Sequence, residues 1–209
     1  MEYRYLLVAR FFLLNAFCVA LTLAAYGQGW LDGILAARLA ELSLIIVAVF
    51  IYGVGNCGWR IWRTSVELNG LAADDLPSDS KIQGYLLMAP ATDSQSRAIQ
   101  ASALRLKLTD RIVAVRHIAN SLIFLGLIGT VIGFIIALSG VDPTVASEVE
   151  NVAAVVSTLI DGMSVALNTT LIGAVFYLWL TMNYRILTSG TVSLISEIIE
   201  VGERRASAG

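Results

Sequence analysis

The chain contains few charged residues, one histidine and two cysteines, and each shortage excludes a class of protein. Charged residues make up 14% of the sequence, whereas soluble domains contain about a quarter. His117 is the only histidine, and no Ser/His/Asp set, metal-ligand cluster or phosphate-binding loop is present, so we predict no enzyme, no metal site and no other cofactor. Cys18 and Cys57 lie in apolar stretches, which argues against a disulfide framework. No basic stripe indicates nucleic-acid binding.

Long apolar runs are what the sequence has instead. Hydrophobic residues make up 57% of the chain and fall into four blocks, at residues 5–25, 39–59, 118–138 and 162–180. A helix needs about 20 apolar residues to cross a bilayer core of roughly 30 Å. Tryptophans near the block ends fit the headgroup level of a membrane. The sequence therefore predicts an all-α integral membrane protein with four transmembrane helices.

A cleaved signal peptide is the alternative interpretation of the first block, because Arg4 precedes its apolar run. Arg10 interrupts that run, and the sequence LAAYGQG that follows is a poor cleavage site. We therefore favour a membrane span in which the Arg10 side chain extends towards the cytoplasm.

The basic residues predict how the chain crosses the membrane, since cytoplasmic loops are rich in Lys and Arg. Eight of the fourteen Lys and Arg residues lie at residues 60–117. The loop at 139–151 has none and contains three acidic residues. Both termini and the middle segment are therefore expected on the cytoplasmic side of a multi-pass membrane protein.

The middle segment and the tail predict a small helical extension in the cytoplasm. Residues 68–93 are interpreted as a loop with short helices because they contain Gly, Pro, Asp and Ser. From Ser94 onwards, apolar residues at helical spacing predict one long helix that continues into the third span. The tail is expected to be helical with a loosening at Gly190. The charges of this extension form either a solvated face or a docking surface for a cytoplasmic partner.

Three glycines distinguish the third span from the first two. Gly126, Gly129 and Gly133 form a surface on which another helix can pack closely in lipid, and the last two have the GxxxG spacing. Packing alone is the plain interpretation of these glycines. The corresponding alternative function is that of a structural or assembly membrane protein.

A polar run of Asn168, Thr169 and Thr170 lies in the fourth span, where polar groups need partners or water. Thr170 and Thr130 each lie eight residues from the outer end of their blocks. At about 1.5 Å per residue both are roughly 12 Å deep, which predicts two hydroxyls at one level. Such hydroxyls can replace part of an ion's hydration shell or bind a partner's carboxylate. The plain alternative is that each one bonds a carbonyl of its own helix.

No carboxylate lies at this level of the sequence. The nearest acid is Asp161, near the outer end of the fourth span. It is interpreted as an interfacial residue at the start of the helix, or alternatively as the point where an ion enters. Because a proton- or sodium-coupled device needs an ionisable group in its pathway, we expect a partner subunit to supply one.

Two segments resemble the pore-helix motifs of the MotA/TolQ/ExbB ion-channel family. LGLIGTVIGF at residues 125–134 is similar to the pattern LGLxGTVxG, and GMSVALNTTLIGA at 162–174 is similar to GxxxALxxTxxG. The resemblance implies that Thr130 and Thr170 are the two pore threonines. It also implies that Gly173, like the glycines of the third span, packs the two helices together.

The same resemblance implies a homopentamer in the bacterial inner membrane, in contact with membrane lipid. The pentamer surrounds two copies of a single-span partner of the MotB/TolR/ExbD kind, which carries a membrane aspartate. Ion flow past that aspartate turns one component against the other and converts ion motive force into mechanical work. Asn168 and Thr169 are expected to belong to the ion pathway together with Thr130 and Thr170. Protons are the expected ion, with sodium as the alternative because Asn168 and Thr169 make this level polar.

On this interpretation the chain divides into four segments. They are two peripheral transmembrane helices (1–59), a cytoplasmic helical segment (60–117), two pore-lining transmembrane helices (118–185) and a cytoplasmic tail (186–209). Two departures from the family are visible. Four spans resemble the MotA arrangement rather than the three spans of TolQ and ExbB, and Val165 stands where ExbB-type members have an acid.

Overall fold

A computed structural model describes residues 6–29, 40–73, 94–139 and 152–208 of the chain. Within these ranges all regular structure is helical. The helices are α1 (Leu6–Gly27), α2 (Ala40–Ala73), α3 (Ser94–Ser139) and α4 (Val152–Ala208). Each is long and apolar enough to cross a membrane. The predicted all-α fold with four membrane-spanning helices is therefore confirmed.

Three of the helices, α2, α3 and α4, continue well beyond the apolar blocks at the basic ends of the spans. The prediction that α3 begins at Ser94 and runs unbroken into the third span is confirmed. The loop predicted from residue 68 is wrong as far as Ala73, because α2 continues to that residue. Leu68 and Leu71 pack against other helices there, which holds the chain helical. The rest of that predicted loop lies outside the described residues.

Two predictions about α4 are also wrong. The helix begins at Val152, so Asp161 lies well inside it rather than at its start. The preceding sequence VAAVVSTLI contains no Gly or Pro to end a helix. Gly190 does not loosen α4, which continues through it to Ala208. Instead Gly190 lets α1 approach, since a Cβ placed on it would lie 2.7 Å from a methyl group of Leu7.

The described residues form two compact units. The first unit contains residues 6–15, 54–73, 94–116 and 182–208. Its core is a cluster of buried side chains from α2, α3 and α4, namely Leu71, Leu104, Leu108, Leu194 and Ile198. This is a three-helix bundle of the kind expected for the helical extension, and its location in the cytoplasm stays a prediction.

An amide pair connects α1 to α4 within the first unit. The Asn15 Nδ2 group donates hydrogen bonds of 2.8 Å to the Asn183 side-chain oxygen and of 2.8 Å to the Phe11 carbonyl. Asn183 is fully buried and donates in return to the Asn15 side-chain oxygen at 3.4 Å. None of the described residues of α1 is itself buried. The amide pair is therefore a specific contact in a helix that otherwise packs lightly.

The second unit contains residues 16–29, 40–53, 117–139 and 152–181. In it α3 and α4 pack antiparallel along two stripes of small residues. The stripe on α3 is Gly126, Gly129, Gly133 and Ala137, and the stripe on α4 is Gly162, Ala166, Thr169 and Gly173. A Cβ on Gly133 would lie 2.6 Å from the backbone nitrogen of Ala166 and 2.6 Å from the Gly162 carbonyl oxygen. The two backbones are thus in direct contact, which small residues permit in lipid.

Aromatic side chains attach α2 to α4 in the same unit. The ring of Phe50 stacks on Phe176 with 4.2 Å between centroids and lies 4.9 Å from Trp179. One turn further along α2, a Cβ on Gly53 would lie 2.6 Å from a methyl group of Leu180. Ring stacking and the missing side chain of Gly53 together position α2 beside α4.

The amide pair predicts a strongly non-additive response to mutation. Asn15→Leu alone should lower the free energy of unfolding by about 1–2 kcal/mol, because it leaves the buried Asn183 amide without this partner. The double variant Asn15→Leu/Asn183→Leu should recover most of that loss, since no buried amide remains. Denaturant unfolding in detergent, arranged as a double-mutant cycle, measures the coupling. Strictly additive losses would contradict the importance of the pair.

The backbone contact at Gly133 predicts that a Gly→Ala change there destabilises the protein, whereas the same change at an open position does not. Gly133→Ala should reduce the free energy of unfolding by about 1–3 kcal/mol, because the added methyl group must push two backbones apart. Gly55→Ala is the matched control, since a Cβ there meets nothing within 4 Å. It should leave stability unchanged or raise it by up to about 1 kcal/mol, because alanine favours helix. Equal effects of the two changes on unfolding would exclude the close packing.

Candidate functional site

The hydroxyl of Thr170 bonds across to the neighbouring helix. Its Oγ1 donates a hydrogen bond of 3.2 Å to the carbonyl oxygen of Gly126 on α3. The alternative that each threonine bonds its own helix is therefore wrong for Thr170. The side chain is half-buried, so part of it remains accessible at the surface of the helix pair. Glycine at position 126 permits this bond, because a Cβ there would lie 3.4 Å from the Cα of Thr170.

Thr130, by contrast, bonds its own helix. Its Oγ1 donates to the Leu127 carbonyl at 2.6 Å and lies 3.5 Å from the Gly126 carbonyl. Both threonine hydroxyls therefore converge on the Gly126 carbonyl group. Thr170 faces Gly126, which is one turn from Thr130, so the backbone positions of the two threonines differ in depth by about 6 Å. The sequence predicted equal depths for them, and the packing of α3 on α4 offsets them by one helical turn.

The direction of these bonds determines what the two side chains can bind. A carbonyl oxygen can only accept a hydrogen bond, so each threonine must use its single hydroxyl proton inside the protein. What remains on each oxygen is lone-pair capacity. The pair therefore suits a cation or a neutral proton donor such as a protonated carboxyl group. An ionised carboxylate, which only accepts, would find no proton here.

Thr169 lies in a different environment from its neighbour. It is 1% exposed, and its hydroxyl donates to two carbonyls of α4, at 2.9 Å to Val165 and 3.1 Å to Ala166. Its side chain contacts Gly129, where a Cβ would lie 2.5 Å from the Cβ of Thr169. The structure thus places Thr169 inside the interface between α3 and α4, apart from the accessible threonine pair. Packing accounts for its position.

Asn168 and Asp161 lie outside the threonine pair. Asn168 is half-buried, and its Nδ2 group donates to the Ser164 hydroxyl at 3.4 Å, one turn earlier on α4. Asp161 is exposed and lies nine residues before Thr170, which corresponds to about 13 Å along the helix. The structure therefore does not bring Asp161 to the threonines. Its interpretation as a point where ions enter stays a prediction.

Apolar side chains surround the threonine pair on the outer faces of both helices. Val131 and Phe134 on α3 are 61% and 57% exposed, and Leu167 and Leu171 on α4 are 67% and 54% exposed. Val165, at the position of the family's acid, is 5% exposed and belongs to the packed interior. The accessible oxygens of Thr130 and Thr170 thus lie within a largely apolar surface.

Two features of the site were absent from the sequence prediction. One is the Gly126 carbonyl, which joins the two threonines and has no side chain to reveal it. The other is the packing role of Gly162, Ala166 and Thr169, which complete the stripe on α4. Small residues at spacings of four, three and four along α4 were the available signal, because this spacing keeps them on one face of a helix.

Comparison with known sequences identifies the origin of this arrangement. The sequence pattern of the MotA/TolQ/ExbB proton channel family matches residues 83–200, which is more than half of the chain. Curated proteins and solved structures returned no match. The matched range includes both small-residue stripes and both accessible threonines. The chain belongs to the MotA/TolQ/ExbB proton channel family.

Proposed function

We propose that this protein is the pentameric channel subunit of an ion-driven rotary motor in the bacterial inner membrane. It acts with a single-span partner that carries an aspartate in its span, as partners of the MotB, ExbD and TolR kind do. Family membership supports the coarse function. The observation that supports this particular site is the convergence of Thr130 and Thr170 on the Gly126 carbonyl.

The ion pathway follows from the lone pairs that these two threonines offer. A proton on the partner's aspartate makes that side chain neutral and able to donate to a threonine oxygen. Loss of the proton leaves a carboxylate that the threonine pair cannot satisfy. Protonation or deprotonation of the partner's aspartate therefore changes the strength of its interaction with Thr130 and Thr170. Protons are the proposed ion, and sodium is the alternative because the same oxygens can coordinate a small cation.

Mechanical work requires that this change in interaction move a whole subunit rather than one side chain. The backbones of α3 and α4 touch at Gly126, Gly133 and Gly173, and in this proposal the pair moves as one body. Relief of the mismatch at the carboxylate then turns the helix pairs relative to the partner. Five subunits around two partner copies present successive threonine pairs to each aspartate, which makes rotation in steps the natural outcome.

The orientation and division of the chain belong to the same proposal. Both termini and the basic segment at residues 60–117 lie in the cytoplasm. Helices α1 and α2 are the peripheral pair, and α3 and α4 line the pore. The three-helix bundle of the first unit forms the cytoplasmic extension.

A structural or assembly role is the second candidate function. Under it, the glycine stripes would serve packing alone. The partly exposed positions of Thr130 and Thr170 argue against this role, because a hydroxyl that serves packing alone lies inside the helix interface, as that of Thr169 does.

The motor proposal predicts a defined assembly. Co-expression with the neighbouring genes, gentle extraction and native mass spectrometry should give five copies of this chain with two copies of a one-span protein. That protein should contain an aspartate in its span. A monomer, or an oligomer without any one-span protein, would contradict the proposal and favour the structural role.

The threonine assignment predicts a ranked mutational series in that complex. Thr170→Val should lower ion flux at least about tenfold, since it removes one hydrogen-bond acceptor for a charged species. Thr170→Ser should keep most of the flux, because serine retains both the bond to Gly126 and the lone pairs. Flux is measured in vesicles with a pH-sensitive dye, in buffers with and without sodium.

Thr169→Val is the matched control for this series. It also removes one hydroxyl at nearly constant volume, but at a buried position, so its flux should stay near that of the unchanged protein. Loss of flux in Thr169→Val together with normal flux in Thr170→Val would reverse the assignment. Flux that appears only with sodium present would identify sodium as the ion.

A further inference from the structure

An apolar groove lies between α1 and α2 within the first unit. It is open on one side and has a volume of about 600 Å³, within the range of small-molecule sites in proteins. We call it the α1–α2 groove. Its principal lining residues are Phe11, Phe12, Gly55, Gly58, Trp59 and Trp62. A groove of this size and polarity suits a hydrocarbon chain.

Two glycines on α2 create the shape of the α1–α2 groove. At Gly58 the helices touch, because a Cβ there would lie 3.0 Å from the Phe11 ring. At Gly55, nearly one turn away, a Cβ would meet nothing within 4 Å. The space beside Gly55 is therefore room that almost any other residue would fill with its side chain.

Aromatic and basic residues mark one end of the groove. The rings of Trp59 and Trp62 meet edge to face with 5.4 Å between centroids, and they are 63% and 55% exposed. Exposed tryptophans at the end of a span mark the headgroup level of a membrane. Arg63 follows Trp62 and lies one turn beyond Trp59, on the same flank of α2. Its side chain is 57% exposed, so it can reach a headgroup while its Nε contacts Glu67 at 3.3 Å.

We propose that the α1–α2 groove is a binding site for one anionic phospholipid. One acyl chain occupies the space beside Gly55, the glycerol backbone lies at the tryptophan pair, and Arg63 binds the phosphate. Three arginines, Arg10, Arg60 and Arg63, lie within this short stretch of the two helices. This basic character favours an anionic headgroup over a zwitterionic one. The site is independent of the threonine pair and of the proposed ion flow.

Quenching of tryptophan fluorescence by brominated lipids tests this site directly. Trp30→Phe and Trp179→Phe leave Trp59 and Trp62 as the remaining tryptophans of the four. The full chain, in complex with its co-expressed neighbours, is reconstituted in phosphatidylcholine vesicles with increasing dibrominated phosphatidylglycerol or dibrominated phosphatidylcholine. Phosphatidylglycerol should quench at about a fivefold lower mole fraction, the factor for one basic residue near an anionic headgroup.

Three variants separate a seated lipid from general contact with the bilayer. Gly55→Leu fills the groove and should make the two lipids quench alike. Gly27→Leu is the matched control, because Gly27 also has nothing within 4 Å of its Cβ position, and it should keep the preference. Arg63→Gln should lose the preference while the groove stays open.

The outcomes that overturn the proposal are equally defined. Equal quenching by the two lipids in the background protein would show contact with bulk lipid only. A preference that survives Gly55→Leu would show that charge attracts the headgroup with no chain seated in the groove. A preference unchanged in Arg63→Gln would remove the phosphate contact from the site.

Discussion

Direct contact between the backbones of α3 and α4 is the constraint on which the candidate site depends. Lipid tails are as apolar as leucine, so burial from water does not drive two helices together in a membrane. Small residues do so by allowing close approach, as Gly133 does against Gly162. Only at this separation can the Thr170 hydroxyl reach the Gly126 carbonyl rather than its own helix. The packing of the pair thus determines the chemistry of the site.

That chemistry explains how a channel subunit can lack its own membrane carboxylate at this level. The hydroxyls of Thr130 and Thr170 donate their protons to backbone carbonyls, and their remaining lone pairs can bind a cation or accept a hydrogen bond. In the proposed complex, a second carboxylate at this level would compete for the proton with the partner's aspartate. Val165, which stands where ExbB-type members have an acid, is apolar and buried in the packed interior.

Sequence patterns correctly predicted the features that depend only on the local sequence. Apolar length predicted the four spans, and the absence of Gly and Pro after Ser94 predicted the long α3. Sequence was insufficient where the cause lies on another helix. Gly190 suggested a weak point in α4, but the helix continues through it, and the absence of a side chain there makes room for Leu7 of α1. Thr169 and Thr170 are adjacent and chemically identical, yet one is buried against Gly129 and the other reaches Gly126. The facing helix decides between them, and periodicity within α4 cannot reveal it.

The attachment of α1 follows from the same physics of packing in lipid. Its described residues bury little, so area alone does not hold it in place. Two specific contacts do: the hydrogen-bonded amide pair of Asn15 with Asn183, and the close packing of Leu7 on Gly190. Between α1 and α2 the contact of Phe11 with Gly58 leaves open space beside Gly55. Vacant apolar space inside a bilayer is filled by lipid tails, because an empty cavity forfeits dispersion contacts with its lining. A lipid in that groove would therefore be part of how α1 is held, and not a passive neighbour.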